Sequence, residues 1–154
     1  METTSDQDHA LLGDQLCFAL YAASKAAGNA YRVLLAPLGL TYPQYLVMLA
    51  IWAADGSTVA EVGAEVGLET STLSPLLKRL EQAGFLTRSR DARDERVVRL
   101  HLTATGAGLE DAVRDVRARV EAATGLSGAE MTDLRRRLLR LQAGLAAFAT
   151  AQSA

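Results

Sequence analysis

Cys17 is the one cysteine in a chain of 154 residues, and all four tyrosines, Tyr21, Tyr31, Tyr42 and Tyr45, follow it within a short span. A thiolate attacks peroxide oxygen, and phenol hydroxyls that donate to sulfur favour the thiolate, as does a helix N-terminus. On a helix, Tyr21 at i+4 shares the face of Cys17. Tyr31 lies about 320° around and roughly 21 Å along, on the same face but out of reach of Cys17 in its own chain. Two copies crossing antiparallel near Ser24 would bring Cys17 against the partner's Tyr31, and the small residues from Ala22 to Gly28 permit close backbone approach there. The same crossing holds the two sulfurs roughly 21 Å apart, too far for a disulfide between subunits. A sulfenic acid at Cys17 would then be resolved by an outside thiol, by a backbone nitrogen or by further oxidation. Taken alone, a single cysteine is also a small apolar packing residue.

The thiol needs a helix to carry it, and the spacing predicts one from about Leu11 to Leu35, broken by Pro37 and Gly39. Thr41 and Gln44 then form a capping box for a helix through Ala54, and Asp55-Gly56-Ser57 is the next turn. Thr58 and Glu61 cap a short helix with Val59, Val62 and Val66, which turns at Gly67. The following helix carries Leu73, Leu76, Leu77 and Leu80 as one apolar stripe, with Thr70 as its cap and Gly84 at its end. Its other face offers Ser71, Thr72, Ser74, Lys78, Arg79 and Gln82, groups that reach base edges and phosphates, with Pro75 just beyond the first turn.

Phe85 to Ser89 and Val97 to Leu102 read as paired strands, with Val98, Leu100 and Leu102 inward and Arg99 and His101 outward. The connecting run, Asp91 to Arg96, places Arg93 and Arg96 at a hairpin tip suited to a minor groove, with acids such as Asp94 orienting the guanidinium groups. Such a run on its own is a solvated turn; its place after this helix makes it a DNA contact, together with Arg88. Lys78 to Arg99 holds seven basic and four acidic residues, net +3, in a chain of −2, so the remainder is −5. An acidic body with one basic edge presents that edge to phosphate.

After the hairpin, Thr103 caps a helix with Leu109, Val113, Val116 and Val120 that ends at Gly125. Ser127 and Glu130 open a last helix with Leu134, Leu138, Leu141, Leu145 and Phe148 on one face. These stripes have little left in the chain to cover them, and a homodimer covers them while setting two recognition helices roughly 34 Å apart on an inverted repeat of double-stranded DNA. A monomer whose terminal helices cover its own core is the competing arrangement. The expected fold is mainly α with a small β-hairpin wing: a single domain over 1–154, with a winged helix-turn-helix at 41–102 and dimerisation helices at 11–36 and 103–150.

One cysteine excludes an intrachain disulfide framework, and two distant histidines, His9 and His101, make no zinc site. There is no Gly-rich phosphate loop. No apolar run spans a bilayer, and the acidic, polar Met1 to His9 is unlike a signal peptide, so a cytoplasmic protein without membrane partner, metal or cofactor is expected.

With these residues in place, the chain resembles the MarR family of winged-helix regulators, and within it the one-cysteine organic hydroperoxide resistance repressors (OhrR), over nearly its whole length. The broad family marks are Leu80 to Leu86, Asp91 to Arg96 and Leu102 to Gly106; the sharper ones are Gln15 to Ala22, Tyr31, Leu40 to Leu46 and Leu73 to Arg79. The resemblance implies that Cys17 is the peroxide-reactive thiol, that Tyr21 and the partner subunit's Tyr31 bond to it, and that Tyr42 lies nearby. It further implies a dimeric, non-enzymatic repressor of a thiol peroxidase gene that releases DNA on oxidation by an organic hydroperoxide, with a low-molecular-weight thiol as a route to a mixed disulfide. The alternatives are a repressor gated by a phenolic or antibiotic-like ligand with Cys17 structural, and, less favoured for lack of a resolving thiol, a thiol peroxidase.

Overall fold

The computed structural model describes residues 12–153, and its elements follow the caps. After a 3-10 turn at Leu12–Asp14 come α1 (Leu16–Leu35), α2 (Tyr42–Ala53), α3 (Val59–Val66), α4 (Thr70–Gln82), β1 (Leu86–Arg90), β2 (Val98–Leu102), α5 (Ala104–Ala123) and α6 (Gly128–Gln152). Leu11, where the first helix was expected to begin, lies outside the described residues, as does the segment through His9; α1 itself starts at Leu16. Gln44 Oε1 accepts from the Thr41 backbone N–H at 2.8 Å. Glu61 does the same for Thr58 at 2.7 Å and Glu130 for Ser127 at 2.7 Å, and in each the hydroxyl oxygen accepts the glutamate backbone N–H in return. Three helices thus start where local side chains satisfy the orphan donors of the first turn. The cap of α4 departs from expectation. Glu69, in extended backbone, is its N-cap, Thr70 is already helical, and no side chain closes that end. Its exposed first turn leaves those N–H groups to an outside acceptor.

The chain packs as two units, Met1–Val116 and Arg117–Ala154, with the division inside α5. In the first, Leu35, Val47, Met48, Ile51, Val62, Leu73, Leu77, Leu80, Leu86 and Leu100 are fully buried in one apolar cluster that Val113 and Val116 of α5 join. Leu73, Leu77 and Leu80 are the stripe expected for α4, while Leu76 is partly buried at its margin. Each fully buried leucine contributes roughly 1.5–3 kcal/mol. Together they fix the rotation of α4 about its axis.

β1 and β2 pair antiparallel from Leu86 opposite Leu102 to Arg90 opposite Val98. A two-stranded hairpin is marginal alone, and here the α2–α3 turn braces it. Gly56 N–H donates to Leu100 O and Leu100 N–H to Ser57 O, both at 2.9 Å, and Thr58 bridges Arg99. The expected outward face of β2 is therefore covered in part: Arg99 and His101 are half-buried. At the far end Thr103 Oγ1 donates to Gly84 O at 2.6 Å and accepts Gly106 N–H at 3.0 Å, and Trp52 Nε1 donates to Gly106 O at 3.0 Å. This joint ties the end of α4, β1 and the start of α5 together.

In the second unit α6 buries no residue. Leu134 is 45% exposed, Leu145 53% and Phe148 63%, so much of the apolar stripe of this helix is exposed. No single helix among the described residues is long and apolar enough to cross a membrane.

Gly106 admits no side chain, because a Cβ there would lie 1.8 Å from Phe85 O, a backbone atom that cannot yield by rotating. Gly106→Ala should therefore destabilise the protein by about 3 kcal/mol, at the upper end of overpacking effects, measured by urea denaturation monitored through Trp52. A loss below about 0.5 kcal/mol would mean that the α5–β1 joint is loose.

Candidate nucleic-acid interface and redox site

Two sets of side chains stand out on this scaffold. The first lies where the capped start of α3, the outer face of α4 and the hairpin converge. With Leu73, Leu77 and Leu80 inward, α4 turns Ser71, Thr72, Ser74, Pro75, Lys78, Arg79 and Gln82 to the surface, all exposed. Pro75 stands inside the helix and removes the bond that Ser71 O would receive, on the exposed side where water can replace it. Thr70 and Ser74 share a groove of about 490 Å³ with Thr58 of the α3 cap and with Arg88 and Arg96 of the hairpin. Of the expected DNA-contacting residues, Ser74, Arg88 and Arg96 thus line one groove.

Their charges are not equally free. Arg88 donates through Nε and Nη2 to one oxygen of Glu81, at 2.9 and 2.5 Å, and that bond holds the Glu81 carboxyl below its ordinary range. Glu81 stays ionised at neutral pH, so this place on the surface is close to neutral. Arg96 is gripped in parallel by Asp94, Nε to Oδ1 at 3.0 Å and Nη2 to Oδ2 at 3.1 Å, yet its side chain is 91% exposed. The fork is held in one orientation while its outer edge faces solvent, as the sequence leads one to expect for Asp94. Arg93 lies exposed at the tip, and its backbone N–H is fixed by Asp91 Oδ1 at 2.8 Å.

The second set is on and beside α1. Tyr31 packs against Tyr42 and Tyr45, with ring centroids 4.9 and 5.3 Å away, and Tyr42 and Tyr45 are 5.7 Å apart. Burial, then the neighbouring Tyr31, pushes the Tyr42 phenol above its ordinary value, so it stays a neutral hydroxyl able to donate. Cys17 and Tyr21, by contrast, are exposed, Tyr21 by 63%, and among the described residues no side-chain hydrogen bond is made by either. The protomer brings Tyr31 and Tyr42 together and keeps Cys17 and Tyr21 apart from them. Cys17 is thus no buried packing residue within one chain. Tyr45, buried and completing the aromatic cluster, carried no role in the sequence reading; its place inward of Tyr42, three residues on, was the available signal.

Helix, turn, helix and braced hairpin in this order define a winged-helix DNA-binding protein. The transcriptional regulator SarA/Rot family matches residues 29–113. The HTH-type regulator TtmR of Methylorubrum extorquens is 52% identical over 71% of this chain, which spans 56% of that protein's length. The organic hydroperoxide resistance transcriptional regulator of Bacillus subtilis is 40% identical over 87% of this chain and 91% of its own. Among solved structures, reduced AbfR bound to DNA, a Staphylococcus epidermidis protein, superimposes with a TM-score of 0.77 at 32% identity, over 89% of this chain and 94% of that one. The chain belongs to the SarA/Rot winged-helix family, of the MarR type, and is a DNA-binding transcriptional regulator.

Glu81 decides how strongly Arg88 acts on a phosphate. Glu81→Gln should tighten binding of a random-sequence duplex and steepen the fall of log K with log salt by up to about 0.9, whereas Arg88→Gln should barely change that slope. Anisotropy across a salt series reads both. A full unit lost with Arg88→Gln would make Arg88 a phosphate contact despite its bridge.

Proposed function

We propose that this regulator is a homodimeric repressor that senses organic hydroperoxides through Cys17 and releases an inverted-repeat operator when oxidised. The observation that carries the reading is an exposed thiol on a helix whose surroundings are incomplete in one chain. Cys17 stands on α1 beside Leu16, Phe18 and Tyr21, which are also exposed. Chemically this is a site waiting for a second subunit to supply cover and donors. A two-fold crossing of α1 near Ser24 supplies both, with the partner subunit's Tyr31 brought to Cys17 and Tyr42 packed behind it. The name of the Bacillus subtilis relative supports the choice of signal.

In the sensing step the thiolate sulfur attacks the outer peroxide oxygen. The S–O bond forms, the O–O bond breaks, and the alkoxide leaves as alcohol after taking a proton, giving a sulfenic acid. A low-molecular-weight thiol can then condense with it, releasing water and leaving a mixed disulfide. Either product adds bulk and polarity at the α1 contact and displaces the tyrosine hydroxyls from sulfur. Recognition helices held at one spacing by the dimer no longer match the repeat. Ser71, Thr72, Ser74, Lys78, Arg79 and Gln82 face bases and phosphates in the major groove, and Arg93 and Arg96 enter the minor groove, Arg96 steadied by Asp94. On this reading the protein acts as a stoichiometric sensor rather than an enzyme, since the chain supplies no resolving thiol of its own and turnover would depend on an outside one.

Two outcomes follow. Cys17→Ser should bind a labelled duplex from upstream of its own gene as the wild type does, and keep that binding after one equivalent of cumene hydroperoxide, which should release the wild type. Release of both proteins, or of neither, would remove Cys17 from the switch; equal release of both by a phenolic compound would place the signal in a ligand site. Leu16→Glu and Phe148→Glu alter side chains exposed in the protomer, so each should keep its helical circular dichroism while light scattering shifts from dimer to monomer mass at micromolar concentration. A dimer mass retained in both would move the interface elsewhere.

A further inference from the structure

We propose that Arg99 is a positioning residue for DNA binding, a brace that sets the wing rather than a cation that meets phosphate. This rests on the reading that the wing touches DNA. By sequence Arg99 belongs to the basic edge, but its side chain, 41% exposed, is tied back to other parts of the protein. Nε donates to Asp91 Oδ2 at 2.5 Å and Nη1 to Gly56 O at 2.9 Å. The guanidinium thus joins two segments, the hairpin loop and the α2–α3 turn, that have no other side-chain bridge on this side among the described residues.

What Arg99 grips is the organising group of the wing. Asp91 is only 13% exposed, and its second oxygen accepts the backbone N–H of Arg93 at 2.8 Å and of Asp94 at 3.3 Å. One carboxylate therefore folds the loop with Oδ1 and anchors it with Oδ2. Asp94, placed by this turn, in turn holds Arg96. The chain of contacts runs from Gly56 through Arg99, Asp91 and Asp94 to the outward-facing fork of Arg96. The anchor itself is firm, because the Gly56–Ser57 backbone is bonded to Leu100 and Leu102 N–H to Asp55 at 2.8 Å. A hairpin of five-residue strands has little rigidity of its own, so this tether decides how closely its tip holds one direction.

A lysine keeps the charge of Arg99 but offers a point ammonium in place of the two-armed fork. Arg99→Gln and Arg99→Lys should both weaken binding of the duplex from upstream of the gene, each about tenfold, with the slope of log K against log salt unchanged. Arg96→Gln, as a phosphate-facing control, should lower that slope by about 0.9. In the free protein, hydrogen exchange should speed up at the Arg93 and Asp94 amides in both Arg99 variants, with core amides such as Leu77 unaltered. Asp91→Asn combined with Arg99→Gln should be no worse than either alone. Rescue by lysine together with a lower slope in Arg99→Gln would make Arg99 a phosphate contact and overturn the proposal. Unaltered exchange at Arg93 and Asp94 would overturn it as well, whatever the DNA result. Exchange raised throughout the core would reduce Arg99 to a general stabilising role and also overturn it. If Arg96→Gln leaves binding and slope unchanged, the wing reading fails, and faster exchange at the two loop amides still supports the brace.

Discussion

The burial of Leu73, Leu77 and Leu80 is the constraint from which the exposed polar surface of α4 follows. Three leucines on one side of a thirteen-residue helix leave no freedom in its rotation, since turning α4 by even one position would expose two of them and bury Ser74 or Lys78 unpaired. The polar face is therefore aimed by packing on its opposite side, and the core that does the aiming includes α2, β1, β2 and α5. This explains why the exposed α4 face needs few internal hydrogen bonds. Its side chains stay available because the helix that carries them is held from behind.

Electrostatics then sorts the basic residues of the hairpin into different uses. Arg88 is offset by Glu81, Arg99 is bonded to Asp91 and Gly56, and Arg96 is oriented by Asp94 with its outer edge free. A net charge of +3 over this segment thus overstates the number of cations that face outward. The acids of the wing are not a random solvation of its tip. Asp91 and Asp94 both lie below the ordinary carboxylate range, Asp91 mainly through the Arg93 backbone N–H and Arg99, Asp94 mainly through the Arg96 side chain. Depressed carboxyls contribute their bonds above the ordinary carboxylate range and lose them only as pH falls through the lowered values, so the wing is ordered throughout the neutral range.

What could be read from the sequence is what depends on neighbours in sequence. The boxes at Thr41, Thr58 and Ser127, the leucine stripe of α4 and the cap at Thr103 were legible because each needs only residues three or four apart. The hairpin was legible to within one residue at β1 and β2. The brace of Arg99 was not, because Gly56 is 43 positions away and brought alongside only by the fold. Arg99 reads as outward by strand alternation, and that is correct for the hairpin alone; the α2–α3 turn covers its outer face in part. The missing cap of α4 has a different cause. Thr70 is a good cap by type, but Glu69 already takes the extended backbone there, and the helix begins one residue earlier than composition implies.

The proposed thiol site shows the opposite balance, suggested by spacing along one helix and not assembled in one chain. Cys17, Tyr21 and Tyr31 share a face of α1, but only Tyr31 finds partners within the protomer, in Tyr42 and Tyr45. An aromatic cluster at one end of a helix and an exposed thiol at the other cannot act together in one copy, since the helix itself keeps them roughly 21 Å apart. A two-fold axis through the middle of the helix removes that separation twice, once for each thiol. In the proposed dimer the sensor would be assembled only when the two copies meet, and the contact completing it would also fix the distance between the two recognition helices. On that proposal, chemistry at sulfur and spacing on DNA would be two readings of one interface, and coupling between them would require no separate relay through the core of the protomer.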